Sequence, residues 1–171
     1  MIKEFYRENH DLEKIIDIEI YTDGSCKGGQ FGGWAFMVVQ DSRLIYAASG
    51  MEYPSTNQRM ELTAIAEALD YIAPLRTPHQ RVKLYSDSAY AINCYSQKWF
   101  QTWQLNGWVT SSQKPVANQE LWYRIIPFFT HWWFSFFKVK GHADNIWNNR
   151  CDKLAQDAAE KCKFEGKIIH E

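Results

Sequence analysis

The sequence predicts one α/β domain built on a mixed sheet. Its apolar segments fall in the order three strands, helix, strand, helices, strand, helix. The second and third strands are joined by Asp41-Ser42, a turn short enough to force an antiparallel hairpin. A helical crossover separates the first three strands from the fourth and allows strands one and four to lie parallel. The chain has 171 residues, 46% of them hydrophobic, which suffices for one core and is short for two.

Ile18-Glu19-Ile20-Tyr21 reads as the first strand, stopped by the turn-rich Thr22-Asp23-Gly24-Ser25. Five of the nine glycines lie between Gly24 and Gly33, so the backbone there must bend sharply or lie against something. Strand two runs over Trp34–Val39 and strand three over Leu44–Met51. Pro54-Ser55-Thr56-Asn57 breaks the chain and offers Asn57 as an N-cap. The stripe Leu62, Ile65, Leu69, Ile72 then predicts a helix over Gln58–Ile72, ended by Pro74 and Pro78. Val82–Tyr85 is a short strand, and Ser86-Asp87-Ser88 caps a helical stretch from Ala89. Trp99, Trp103 and the Gly107 break mark a further short helix, followed by a polar loop over Thr110–Pro115. Helical spacing returns over Asn118–Phe129, a fifth strand over Trp133–Val139, and a loop at Lys140-Gly141-His142. The last helix is predicted over Trp147–Lys163, with Trp147, Cys151, Leu154 and Ala158 facing inward. The organisation expected is an N-terminal extension 1–17, a domain 18–163 and a tail 164–171.

Composition removes several classes of function. No apolar run approaches the roughly 18 residues of a membrane helix, and 16% aromatic content is far above that of disordered chains. A net charge of -1 rules out a uniformly basic nucleic-acid coat, so any such affinity needs a local patch or metal ions. Cys26, Cys94, Cys151 and Cys162 form no C-x-x-C pair, which argues against a zinc ribbon. The charged first 17 residues contain no apolar signal region. A cytoplasmic monomer with free thiols is expected.

Four acids stand where patterning does not favour charge. Asp23 ends the first strand, where turn chemistry alone would explain it. Glu61 shares a helix face with Ile65, Ala68 and Ile72 and completes no capping box. Asp87 follows the fourth strand at its carboxyl end, where open α/β sheets place their sites. Asp152 adjoins the apolar face of the last helix. Parallel pairing of strands one and four brings Asp23 and Asp87 to one sheet edge, and flanking helices can present Glu61 and Asp152 there. Two unit charges about 4 Å apart repel by about 4 kcal/mol at an effective dielectric of roughly 20. Such a cluster calls for hard divalent cations with oxygen ligands, Mg²⁺ or Mn²⁺, and paired metals of this kind hydrolyse phosphodiesters.

The blocks Thr22-Asp23-Gly24-Ser25-Cys26, Thr56 to Leu62, Tyr85-Ser86-Asp87-Ser88, Lys140-Gly141-His142-Ala143 and Asn149-Arg150-Cys151-Asp152 resemble those of ribonuclease H, type 1, from about Ile18 to Lys161. The resemblance implies a ribonuclease H-like fold with a five-stranded mixed sheet, its first three strands antiparallel. It implies cleavage of the RNA strand of RNA–DNA hybrids with two Mg²⁺ ions (Mn²⁺ a possible substitute), leaving 5′-phosphate and 3′-hydroxyl ends. Asp23, Glu61, Asp87 and Asp152 would hold the metals. His142 would assist proton transfer or product release, a task suited to its near-neutral pKa. Cys26, Thr56, Asn57 and Gln58 would line the hybrid's minor groove, where shape and 2′-hydroxyls are read. Trp99 and Trp103 would lie beside the DNA strand, although aromatics at i and i+4 equally suit a buried helix face.

The sequence departs from the family pattern in three places. The segment 104–113 carries no lysine or arginine where well-known bacterial members are basic, and Lys114 is its nearest cation. The Gly28-Gly29-Gln30-Phe31-Gly32 loop lacks the usual Asn and prolines, and Ala89 stands where a Gln is common. A related nuclease on the same fold and a non-catalytic nucleic-acid-binding module are the competing readings.

Overall fold

The computed structural model describes residues 16–139 and 145–169, with side chains through Gly166. Its sheet has the order β3-β2-β1-β4-β5. β1 (Ile16–Lys27), β2 (Phe31–Gln40) and β3 (Arg43–Glu52) are antiparallel neighbours. β4 (Gln80–Ser86) is parallel to β1, and β5 (Phe134–Lys138) is parallel to β4. The helices are α1 (Asn57–Ile72), α2 (Ala89–Ser96), α3 (Trp99–Asn106), α4 (Gln119–Ile125) and α5 (Ile146–Ile169). The five-stranded mixed sheet expected from the family resemblance is therefore present.

Several boundaries differ from the sequence reading. Thr22-Asp23-Gly24-Ser25 is not a turn: β1 continues through it, paired with β2 as far as Lys27 opposite Phe31. The reversal comes later, where Gly28 and Gly29 take φ of 56° and 75°, the left-handed region that glycine enters at no steric cost. The Asp41-Ser42 hairpin is as expected, both residues having positive φ (49° and 60°). The α1 cap is Thr56, not Asn57, because the Thr56 hydroxyl accepts from Arg59 N–H at 3.1 Å. The predicted Asn118–Phe129 helix ends as α-helix at Ile125. Pro127, which has no N–H to donate, turns the remainder into a 3₁₀ segment, Ile126–Phe128. α5 continues past Lys163 to Ile169, and the Phe31 ring packs on its backbone where Gly166 leaves room, within 2.6 Å of a Cβ added there.

The sheet separates two apolar layers. On one face the α1 stripe Leu62, Ile65 and Leu69 is fully buried with Ile20, Val82 and Leu84. An aromatic group extends this layer, with Trp122 meeting Tyr90 and Trp103 edge-on at 5.5 and 5.4 Å. On the other face Cys151 and Ala155 of α5 pack on Tyr21, Ala35, Met37 and Val39. All four cysteines are free thiols. Among the described residues, no helix is long and apolar enough to cross a membrane.

Candidate active site

The four acids are brought together by ladder register and by two close helix–strand approaches. Tyr21 of β1 lies opposite Tyr85 of β4 in the parallel ladder, so Asp23 and Asp87, each two residues farther on, emerge at the same sheet edge. The chain leaves β4 into α2 through Ser88, whose hydroxyl accepts from Ala91 N–H at 3.3 Å, and this holds Asp87 at the helix entrance. α1 rests directly on β1. A Cβ added to Gly24 would stand 2.2 Å from the Glu61 nitrogen and 2.4 Å from the Met60 carbonyl carbon. The glycine after Asp23 thus sets how near Glu61 can come.

α5 is seated in the same manner on β2. A Cβ at Gly33 would stand 2.3 Å from both Ala155 O and Ala159 N. The Cys151 thiol, beside Asp152, donates toward the carbonyls of Tyr21 and Ala35 at 3.4 and 3.3 Å. It therefore fastens α5 to the pair of strands that carries Asp23. Ahead of α5, the Asn145 side chain accepts from Trp147 and Asn148 N–H at 2.9 and 3.1 Å and donates to the Tyr21 hydroxyl at 3.3 Å.

Asp23 is buried, Glu61 and Asp152 are half-buried, and Asp87 is exposed. Burial, followed by the charges of Asp87 and Asp152, pushes Asp23 up to about 7; a 2.7 Å hydrogen bond from Gly24 N–H opposes this, and Glu61 adds to it. Burial also raises Glu61, against a hydrogen bond from the Ser88 hydroxyl and with the Asp87 charge. Partial desolvation raises Asp87, its own N–H opposes, Asp152 raises it further, and Lys138 lowers it. Asp152 accepts from the Gln156 amide at 2.7 Å. Asp23 thus feels the charge of all three other carboxylates, Glu61 that of Asp87, and Asp87 that of Asp152. Among the described residues, however, no three His, Cys, Asp or Glu side chains converge tightly enough to cage an ion by themselves. Carboxylates crowded in this way suit Mg²⁺, which takes one or two protein carboxylates and completes its shell with water and substrate phosphate.

The other predicted residues divide between this edge and its surroundings. Cys26 lies at the end of β1, half-buried, its thiol directed to Ser55 O at 3.5 Å. Thr56, Asn57 and Gln58 form the start of α1, one turn before Glu61. Trp99 is half-buried, its Nε1–H donating to the Gln97 side chain at 3.0 Å, whereas Trp103 is in the core at 6% exposure. Both border a groove of about 430 Å³ with Tyr90, Asn106 and Thr110. His142 lies outside the described residues.

Sequence reasoning did not assign three contributors: Gly33, the Cys151 tether and Arg59. Arg59 is held among Glu52, Asn118 and Glu120, and so ties the start of α1 to β3 and α4. The crowding of glycines was a signal for close approach, but only the fold tells which helix comes near. Gly24→Ala is expected to lower stability by about 3 kcal/mol through overpacking and to reduce turnover more than substrate affinity. Urea midpoints together with a kcat and KM split check this.

The family model for RNase H matches residues 16–160. The chain belongs to the RNase H family. A ribonuclease H from Moorella thermoacetica is 46% identical over 144 residues, covering 83% of this chain and 91% of that protein. One from Chlorobaculum parvum is 46% identical over 152 residues, 88% of this chain and 99% of the relative. Among solved structures, LC9-RNase H1, described as a type 1 RNase H with the type 2 active-site motif, superposes with a TM-score of 0.71 at 25% identity, over 85% of this chain and 73% of that one. The sheet order and helix placement described above are thus those of the RNase H fold, and its curated members are nucleases.

Proposed function

We propose that this chain is a type 1 ribonuclease H, an endonuclease that hydrolyses the RNA strand of RNA–DNA hybrids. The observation that carries the reading is the gathering of Asp23, Glu61, Asp87 and Asp152 at one sheet edge, where the charges of the other three raise Asp23, Asp87 raises Glu61 and Asp152 raises Asp87. Carboxylates held in that state need a compensating charge, and no cation among the described residues other than Lys138 contributes one. The donor set is oxygen only, which fits Mg²⁺ or Mn²⁺. In this reading the four carboxylates hold two such ions, which when bound supply an activated water and stabilise a leaving oxygen.

The chain's own residues then orient the substrate. Asp23, on the rigid β1–β2 ladder, defines the floor of the site. Glu61 and Asp152, on helices seated against glycines, define its walls. Asp87, the most open, faces the incoming phosphodiester. Cys26, Thr56, Asn57 and Gln58 contact the minor groove of the hybrid, reading shape and 2′-hydroxyls, while the half-buried Trp99 lies toward the DNA strand and Trp103 backs it from the core. His142 relays a proton or assists product release. The products carry 5′-phosphate and 3′-hydroxyl ends.

Segment 104–113 has no basic side chain, and each phosphate contact contributes roughly one unit to the salt slope. A plot of log Kd for hybrid against log salt is therefore expected to be shallower than that of a homologue with a basic loop. An equally steep slope would contradict this. The overall reading is tested with end-labelled RNA–DNA hybrid, double-stranded RNA and double-stranded DNA, each with Mg²⁺ and with chelator. The expected result is cleavage of the hybrid's RNA strand alone, with metal alone. Retardation of the hybrid without cutting would instead mark a binding module, and cleavage of duplex DNA a related nuclease.

A further inference from the structure

The outer edge of β3 and the hollow beside it take no part in this chemistry. β3 is the terminal strand of the sheet, and among the described residues nothing pairs with its outer edge. It is uncharged from Leu44 to Met51, whereas natural edge strands are usually interrupted by charge or proline to prevent pairing with another chain. The one blunting feature is the register shift between Val38 and Val39, which drops Ile45 out of the ladder at 57% exposure. The remaining edge, Tyr46–Met51, is regular.

α5 lies on the sheet face, chiefly over β1 and β2, and between its flank and β3 it leaves two hollows, of about 700 and 360 Å³, that meet at Leu154. Ala47 and Leu154 give them an apolar floor, and Arg150, Lys153 and Lys161 form a cationic rim. Asp157, the single acid in either lining, is engaged by Lys153 at 2.6 Å. Arg150 lies over the Trp147 ring at 5.2 Å, and no carboxylate among the described residues takes it up. Positions 150, 153, 154, 157 and 161 form one helical stripe. Asp152 projects about 200° away from Arg150 at about 100° per residue. The hollow and the acids therefore occupy opposite flanks of α5.

We propose that β3 and this hollow form a docking site for an extended acidic segment of a partner protein, added as a further strand on the sheet edge. In such an arrangement the edge supplies backbone hydrogen bonds and the hollow reads every second side chain. Arg150 and Lys161 are about 16 Å apart along the helix axis, and the first and fifth residues of a strand span about 13 Å. The groove-facing side chains that match are thus carboxylate, aliphatic, carboxylate at alternate positions, with the aliphatic group over Leu154 and Ala47. A second copy of this chain fits less well. Two-fold pairing of β3 edges would set the two α5 rims side by side, with like charges facing. A nucleic acid has no use for an open strand edge with an apolar floor.

The test uses the full chain and the labelled probe acetyl-Thr-Asp-Thr-Leu-Thr-Asp-Thr-amide. Saturable binding by fluorescence anisotropy is expected, with amide shifts confined to Tyr46–Met51 and α5. Replacing both Asp of the probe by Lys should weaken binding at least tenfold, and so should the R150E/K161E variant, whose folding is checked by circular dichroism. N-methylation of alternate probe amides should abolish binding. The proposal is overturned if the N-methylated probe binds equally well, if the β3 amides do not respond, or if a single-stranded oligonucleotide displaces the probe and binds tighter at the same residues.

Discussion

Asp23→Asn is expected to stabilise the metal-free protein at neutral pH while removing its activity. The Asp23 carboxyl is raised to about 7 by burial and by neighbouring acids. Its unfolded value is that of an ordinary aspartate, near 4. A raised folded value means that the native state holds the proton more tightly than the unfolded chain. The ionised group therefore costs nothing below about pH 4, costs progressively more between pH 4 and 7, and carries its full penalty above pH 7. Three units at about 1.4 kcal/mol each set a ceiling of about 4 kcal/mol, and relaxation brings the expected gain to about 2–3 kcal/mol. For a chain of this size that is a rise in Tm on the order of 5–10 °C. Asn keeps an oxygen to accept from Gly24 N–H, so the backbone contact survives. Thermal melts with chelator at pH 4 and pH 7.5 check the sign: the gain should be large at pH 7.5 and vanish at pH 4. A loss of stability at pH 7.5 would mean that Asp23 serves the fold rather than the chemistry.

Asp87→Asn should lower kcat at least 1000-fold, about 4 kcal/mol of barrier, with little change in Tm. Asp87 is exposed, and the entry into α2 is fixed by Ser88, so the fold does not rest on its side chain. The comparison is Asp157→Asn, an acid of α5 on the flank away from the site and paired with Lys153, which should leave the cleavage rate unchanged. Single-turnover cleavage of labelled hybrid by the two variants makes the contrast. A rate for Asp87→Asn within tenfold of the parent would remove Asp87 from the machinery.

Much of this architecture was legible in the residues. Period-2 and period-3.6 patterning located the strands and α1, and the parallel relation of β1 and β4 followed from the crossover. Asp23 and Asp87 could therefore be placed at one edge without coordinates. The miss at Thr22–Ser25 has a plain cause. Local turn propensity is weak against a ladder that pairs the same residues with β2, and the ladder won. The break in α4 was legible at Pro127 but masked by the apolar spacing around it. The seating of helices on Gly24 and Gly33, and the Cys151 tether, depend on which surfaces meet in three dimensions, and no period in the sequence encodes that. Trp103 shows the limit of reading aromatics: i and i+4 spacing is the same for a core face and for a ligand face, and here the indole is packed against Trp122.

In the proposed function, acids from separate elements crowd one edge until a divalent ion is needed to offset their charge. The most direct measurement is a ¹³C NMR pH titration of the Asp23 carboxyl in the full-length protein, without metal and with Mg²⁺. A midpoint near 7 without metal that falls by more than a unit in Mg²⁺ is the expected result. A midpoint in the ordinary aspartate range that ignores Mg²⁺ would show that no such crowding exists.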